Sequence, residues 1–284
     1  MMDKRNLQSA TADDPVTDAA FLALCHPRLY PSIFRAAVQK RVRESFKAVF
    51  GRPVEDLVWR IWKNGGRKSA WIEYMGLPRR SVETWCGGAL TIEVSPESLD
   101  TLVAFGSKRR RRRLGNRFIW DGDWDCFTKS FQDTLRYRFL KDIWDNRHDL
   151  AQSGRFAELM ARCERGNPYR SYHKGVYLDS AEKILSFLDI YLVFMKQIQK
   201  NGYDPSLAAD PVGAALDRRG RLVKINKGLH RLAMAQVVGI ERIPVRVRAV
   251  HRFWWEKQKE ARGADPHSDL FNLVSHLKGD ASAG

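Results

Sequence analysis

Apolar residues recur at helical spacing in the first third of the chain. Phe34, Val38, Val42 and Phe46 stand four apart, which predicts one helix with a single apolar stripe. Arg35, Lys40, Arg41, Arg43 and Lys47 flank the stripe, and Gly51-Arg52-Pro53 ends the helix. Val54, Leu57, Val58, Ile61 and Trp62 predict a second helix over 54–63, stopped by Asn64-Gly65-Gly66. Beyond it the pattern weakens. Residues 89–94 read as a strand, and Ser95 or Pro96 opens a short helix through Leu102. Helical spacing returns over 128–145 and 154–164, until Asn167-Pro168 interrupts it. Asp179-Ser180-Ala181-Glu182 has the form of a capping box with Asp179 as N-cap. The helix it opens carries Ile184, Leu185, Leu188, Tyr191, Leu192, Met195 and Ile198, a core stripe, and Asn201-Gly202 stops it.

The pattern changes period after residue 211. Residues 212–216 read as a strand and Asp217-Arg218-Arg219-Gly220 as a tight turn. Val223 and Ile225 then fall on one face of a second strand and Lys224 on the other. Gly228 precedes a helix over 229–238, ended by Gly239. Ile243, Val245 and Val247 alternate with Arg246 and Arg248 in a further strand.

These elements predict an α+β protein, with a mainly helical N-terminal and middle region packed on a small mixed sheet. The expected organisation is a tail at 1–18, a helical region at 19–117, an acidic segment with a helical middle at 118–205, a compact core at 206–257 and a charged tail at 258–284. One short helix is expected at 268–277.

Composition bounds the class. An apolar share of 44% beside 29% charged residues fits a globular protein, and nine tryptophans argue against disorder. The four cysteines, Cys25, Cys86, Cys126 and Cys163, form no CxxC pair. A zinc site, a thioredoxin-like pair and a disulfide framework are therefore not expected, and a reducing compartment is. Residues 1–14 are polar and lack a signal peptide's apolar region. The longest apolar run, 184–195, is too short to span a bilayer. A cytoplasmic location without a transmembrane segment follows as the expectation.

Charge adds a class of partner. Lys and Arg number 49 against 33 Asp and Glu, a net +16, which favours polyanions such as nucleic acid, an anionic glycan or a nucleotide. The run Lys108-Arg109-Arg110-Arg111-Arg112-Arg113 concentrates that charge. Like charges so close repel, so it is expected as an exposed loop, either a solvated turn or a phosphate-contacting one.

Two stretches carry candidate chemistry. In Asp121-Gly122-Asp123-Trp124-Asp125, alternate carboxylates in extended chain would point one way. Asp121, Asp123 and Asp125 could then hold Mg²⁺, and Asp123 or Asp125 could orient an acceptor hydroxyl. A turn with Trp120 and Trp124 in the core accounts for the same residues. The second stretch is Lys227-Gly228-Leu229-His230-Arg231. Glycine permits a turn closed to other residues, helix N-termini attract anions, and arginine grips phosphate with paired hydrogen bonds. A strand-to-helix turn with solvated cations is the plainer alternative.

Gly228-Leu229-His230-Arg231-Leu232-Ala233-Met234-Ala235, followed by Gly239-Ile240-Glu241-Arg242-Ile243-Pro244-Val245, resembles the core of the ParB/sulfiredoxin superfamily. The resemblance covers 212–251. It implies nucleotide binding (ATP, ADP or CTP, with Mg²⁺), with Lys227, Gly228, Leu229, His230 and Arg231 at the phosphates, and a kinase or nucleotide hydrolase as candidate activities. Sulfiredoxins carry a reactive cysteine where Leu229 stands, so their repair chemistry is not expected. Many relatives carry an acid where Lys227 stands. Too short a stretch follows His251 for the helix-turn-helix of the partition proteins. With Gly122-Asp123-Trp124-Asp125 upstream and Val250-His251-Arg252-Phe253-Trp254-Trp255 downstream, the chain is similar to a ParB-like group, some of whose members are associated with surface-polysaccharide loci. Two further readings follow: a nucleic-acid-binding protein without sequence specificity, and a non-catalytic accessory of glycan assembly.

Overall fold

The computed structural model describes residues 20–46, 49, 51–171, 175–204 and 211–262. The expected tail at 1–18 and helix at 268–277 lie outside the described residues. The elements, in chain order, are α1 (Tyr30–Phe46), α2 (Arg52–Lys63), α3 (Gly66–Met75), α4 (Arg79–Cys86), β1 (Thr91–Val94), β2 (Thr101–Val103), α5 (Lys108–Gly115), β3 (Ile119–Trp120), β4 (Thr128–Ser130), α6 (Leu135–Asp145), α7 (Gly154–Glu164), β5 (Tyr169–Ser171), β6 (Val176–Leu178), α8 (Ala181–Asn201), β7 (Val212–Leu216), β8 (Leu222–Lys224), α9 (Leu229–Val238), β9 (Ile243–His251) and α10 (Arg252–Arg262). The fold is α+β. Among the described residues no helix is long and apolar enough to cross a membrane.

The elements form two compact units interleaved in sequence, where end-to-end segments were expected. Of the described residues, the first takes 20–46, 135–171, 175–204 and 233–240; the second takes 49, 51–134, 211–232 and 241–262.

The first unit is helical, with the β5–β6 hairpin. α8 buries Ile184, Leu188, Leu192 and Met195 of the expected stripe, and Phe187 besides, while Leu185, Tyr191 and Ile198 are half-buried. Its N-cap is Ser180, whose hydroxyl accepts from Lys183 N–H at 3.3 Å. Asp179, the expected cap, instead accepts from Lys183 Nζ at 2.6 Å, and that bond holds its carboxyl below the usual range. A serine hydroxyl caps as well as a carboxylate does, and Asp179 finds a cation one turn along. α1 turns Ile33 and Ala37 inward, while Phe34, Val38, Val42 and Phe46 are exposed. The stripe is real but is not what the unit buries. Ile33 is drawn in by Gly175, where a Cβ would stand 2.5 Å from its Cδ1.

The second unit holds a mixed sheet in the order β1-β9-β7-β8-β2-β4. Strand β9 organises it. Its first half pairs antiparallel with β1, its last residues pair parallel with β3, and its other edge pairs parallel with β7. β7 is buried at all five positions, as a central strand must be. It returns antiparallel as β8, and β8 pairs parallel with β2. Val103, Leu114, Trp120, Trp124, Ala215, Val223, Ile225 and Ala249 form one core cluster.

Three local expectations change here. Residues 128–130 are a strand on β2, and the helix begins only at Leu135. Residues 95–102 make a short 3-10 turn and then β2. The basic run is a helix, α5, not a loop. Ser107 caps it by accepting from Arg110 N–H at 3.1 Å, Arg110 lies 5.5 Å over the Phe127 ring, and Leu114 anchors it in the core. A cap, a cation–π contact and a buried leucine outweigh the repulsion of its charges.

Candidate phosphate-binding site

The stretch predicted to bind phosphate follows the β7–β8 hairpin. Gly228 has φ +72°, and a Cβ there would stand 2.9 Å from Val212 Cα. Only glycine fits both the left-handed backbone and that approach. The chain can therefore turn against the start of β7 and enter α9, whose first intrahelical bond runs from Leu232 N–H to Gly228 O at 3.1 Å. The N–H groups of a helix's first turn have no carbonyl of their own helix to meet.

Lys224 fixes this turn. Its side chain is wholly buried, and its Nζ donates to the carbonyls of Gly213 (2.9 Å), Ile225 (2.5 Å) and Lys227. Three acceptors match an ammonium's three donors. Burial, then the charges of Arg248 and Arg231, push its pKa well below the ordinary lysine range. Arg248 is itself buried, at 4% exposure, with Nη1 3.4 Å from Glu83 Oε1. It passes over Gly213, where a Cβ would stand 2.9 Å from its Cδ. Arg231 completes the group. Its Nη1 is buried and has no hydrogen-bond partner among the described residues.

Of the predicted residues, Lys227 and His230 are exposed, Leu229 is buried and Arg231 half-buried. Leu229 can offer a ligand only its backbone, while Arg231 brings a guanidinium. The sequence reading missed Lys224, Arg248 and Gly213. The alternation about Val223 and Ile225 placed Lys224 on the opposite face, which is where it lies, but gave no sign that the face is covered.

The acidic stretch is elsewhere and differently employed. Arg218 donates from Nε to Asp125 Oδ2 at 2.8 Å and from Nη2 to Asp125 Oδ1 at 2.7 Å and Asp123 Oδ1 at 2.9 Å. Arg252 Nε donates to Asp121 Oδ2 at 2.8 Å. His251 Nδ1 accepts from Phe253 N–H at 3.0 Å, so its Nε2 carries the proton and meets Gly122 O at 3.1 Å. The tautomer follows from these two bonds. All three carboxylates are thus engaged by arginines. Among the described residues no group of three His, Cys, Asp or Glu is placed to hold a metal ion. The carboxylates of Asp121, Asp123 and Asp125, expected to hold metal or to act in catalysis, serve here as ion-pair partners of Arg218 and Arg252.

Distance argues the same way. Gly228 packs on Val212, at one end of β7, whereas Arg218 follows Leu216, which pairs with Val250 beside His251 at the other end. The strand between Val212 and Leu216 spans about 13 Å, at about 3.3 Å per residue. The turn and the Arg218 ion pairs thus lie toward opposite ends of β7.

No protein-family model, curated protein or solved structure matches this chain.

Proposed function

We propose that this protein binds a phosphate-bearing ligand at the Gly228 turn. The backbone N–H groups that open α9 and the Arg231 guanidinium hold the phosphate, within the positive field of Arg248. One observation carries the reading: Arg231 Nη1 is buried without an acceptor, and Arg231 and the buried Arg248 both lie close enough to Lys224 to act on its charge. A buried donor left unmet costs about 1–3 kcal/mol, more for a charged group, and an anion would remove that cost. The resemblance of 212–251 to the ParB/sulfiredoxin core makes a nucleotide the ligand class. Phosphoryl transfer is no part of the reading, because Asp123 and Asp125 are engaged by Arg218 at the far end of β7. A nucleotide-binding accessory, set by the resemblance in surface-glycan assembly, accords with that.

The test is equilibrium binding of ATP, ADP, CTP and inorganic phosphate at low salt, with and without Mg²⁺. The wild-type chain should bind at least one saturably. Arg231→Ala should weaken binding at least about tenfold, since a charge-assisted bond of about 1.5–3 kcal/mol is lost. Asp123→Asn should leave it unchanged. No binding by the wild type, or equal binding by Arg231→Ala, refutes the proposal.

A further inference from the structure

Helix α3 reads Gly66-Arg67-Lys68-Ser69-Ala70-Trp71-Ile72-Glu73-Tyr74-Met75. At 3.6 residues per turn, Ser69, Ile72 and Glu73 share one face, and all three are buried. Arg67, Lys68, Trp71, Tyr74 and Met75 share the opposite face, and all five are exposed. Trp71 is 64% exposed and Tyr74 is 67% exposed. Two large rings left in water side by side, on a helix with a good core face, mark an interaction surface.

The charge that α3 itself brings to that face is one-sided. Glu73, the only carboxylate of α3, points inward, where it accepts from Trp62 Nε1 at 2.9 Å and Lys259 Nζ at 2.8 Å. Arg67 and Lys68 therefore stand beside the rings with no acid of their helix among them. Tyr74 is held from behind: Arg252 lies 5.1 Å from its ring centroid and donates from Nη2 to Tyr74 O at 2.6 Å. The rings lie one helical turn apart, about 4.5 Å along the axis, a spacing that successive bases of a strand can meet. The basic helix α5 ends against the same place. Arg79 N–H donates to Asn116 O at 3.0 Å and Phe118 N–H to Gly76 O at 3.0 Å, so the residues after α5 are bonded to the end of α3 and the start of α4. Arg109 and Arg111 of α5 are exposed.

We infer that the outer face of α3 binds single-stranded nucleic acid. Bases stack on Trp71 and Tyr74, Arg67 and Lys68 take the adjoining phosphates, and α5 extends the track along the backbone. Exposed rings interleaved with cations are what sequence-tolerant single-strand binding needs. A duplex keeps its base faces stacked inside and offers the rings nothing. A bilayer surface would ask for a longer apolar face than the ten residues of α3, some 15 Å, supply. This inference uses different residues from the phosphate site and does not rest on it.

The test is fluorescence anisotropy of a labelled oligothymidylate with the full chain, at several salt concentrations. A matching duplex and vesicles containing phosphatidylserine serve as competitors. Trp71→Ala and Tyr74→Ala should each weaken the single-strand complex about five- to hundredfold, while Trp71→Phe retains most of the affinity. Circular dichroism confirms that each variant is folded. Arg67→Ala with Lys68→Ala should reduce the slope of log affinity against log salt by about 1.4, for two phosphates of a single strand. Arg231→Ala should change nothing here, which separates this surface from the nucleotide reading. The inference falls if folded Trp71→Ala and Tyr74→Ala bind as the wild type does. It falls equally if the oligonucleotide is not bound, if duplex outcompetes single strand, or if only vesicles bind.

Discussion

Asp125 and Arg218, 93 residues apart in sequence, are joined by three hydrogen bonds. Arg218 Nε and its own backbone N–H both reach Asp125 Oδ2, at 2.8 and 3.0 Å, and Nη2 reaches Oδ1 at 2.7 Å. The Asp125 side chain is 4% exposed. The acidic stretch therefore clamps the β7–β8 turn, while His251 ties the same stretch to the end of β9 through Gly122 O. Its role is to hold the sheet's ends together.

Removing one partner of this pair should cost more than removing both. Arg218→Ala leaves the Asp125 carboxylate without its two guanidinium hydrogen bonds and should destabilise the fold. Arg218→Ala with Asp125→Ala should be less destabilised than Arg218→Ala alone. Urea unfolding of Arg218→Ala, Asp125→Ala and the double variant measures this. Additive losses would show that the clamp carries no coupling.

Acid should weaken the same clamp. Burial alone would raise the Asp125 pKa, but the side-chain and backbone hydrogen bonds from Arg218 outweigh it and bring it down to about 2. The folded value lies below the unfolded one, so the native state favours the carboxylate. That contribution is present above about pH 4 and is lost as pH falls towards 2. It amounts to about 2.5 kcal/mol, at about 1.4 kcal/mol per pKa unit. Asp125→Asn should flatten the stability profile across that window. An unchanged acid limb in the variant would mean that other carboxylates set it.

The sequence made the hairpin, the helix after Gly228 and the core stripe of α8 legible, because each is written in local periodicity with a glycine or cap at its end. It did not reveal what Asp125 does, since Arg218 lies 93 residues away and no spacing rule connects them. Lys224 shows the same limit. A lysine between Val223 and Ile225 reads as a solvent-facing residue, yet it is buried because three carbonyls of a following turn converge on it. The helix α5 was hidden for another reason. Charge repulsion is visible in the run 108–113, whereas the Ser107 cap, Phe127 and the core site of Leu114 are tertiary facts.

The cysteines should differ sharply in reactivity. Cys86 is buried, and that burial pushes its thiol up to about 12, so almost none is thiolate at neutral pH. Cys126 is exposed beside Asp125. With an aromatic disulfide reagent at pH 8, Cys126 should react fast and Cys86 only on unfolding. Cys126→Ser should abolish the fast phase. A fast phase that survives in Cys126→Ser would contradict the burial pattern.

Lys224 should give the protein an alkaline signature. Burial first, and then the charges of Arg248 and Arg231, lower its folded pKa well below the ordinary value of about 10.4. Between those two values the unfolded chain binds the extra proton, so stability rises with pH across that interval. Lys224→Met removes this slope and also takes one donor from the carbonyls of Gly213, Ile225 and Lys227; Gly213 O and Lys227 O keep the backbone N–H groups of Ile225 and Gly213, so the main loss is at Ile225 O, about 1–3 kcal/mol if it is left unmet. Urea midpoints from pH 7 to 10 test both effects. The wild type should gain stability with pH and Lys224→Met should not. Saturating phosphate should flatten the wild-type slope, because an anion at Arg231 offsets the repulsion that lowers the Lys224 pKa. A wild-type slope that is flat without phosphate, or one that phosphate leaves unaltered, would separate Lys224 from the anion site.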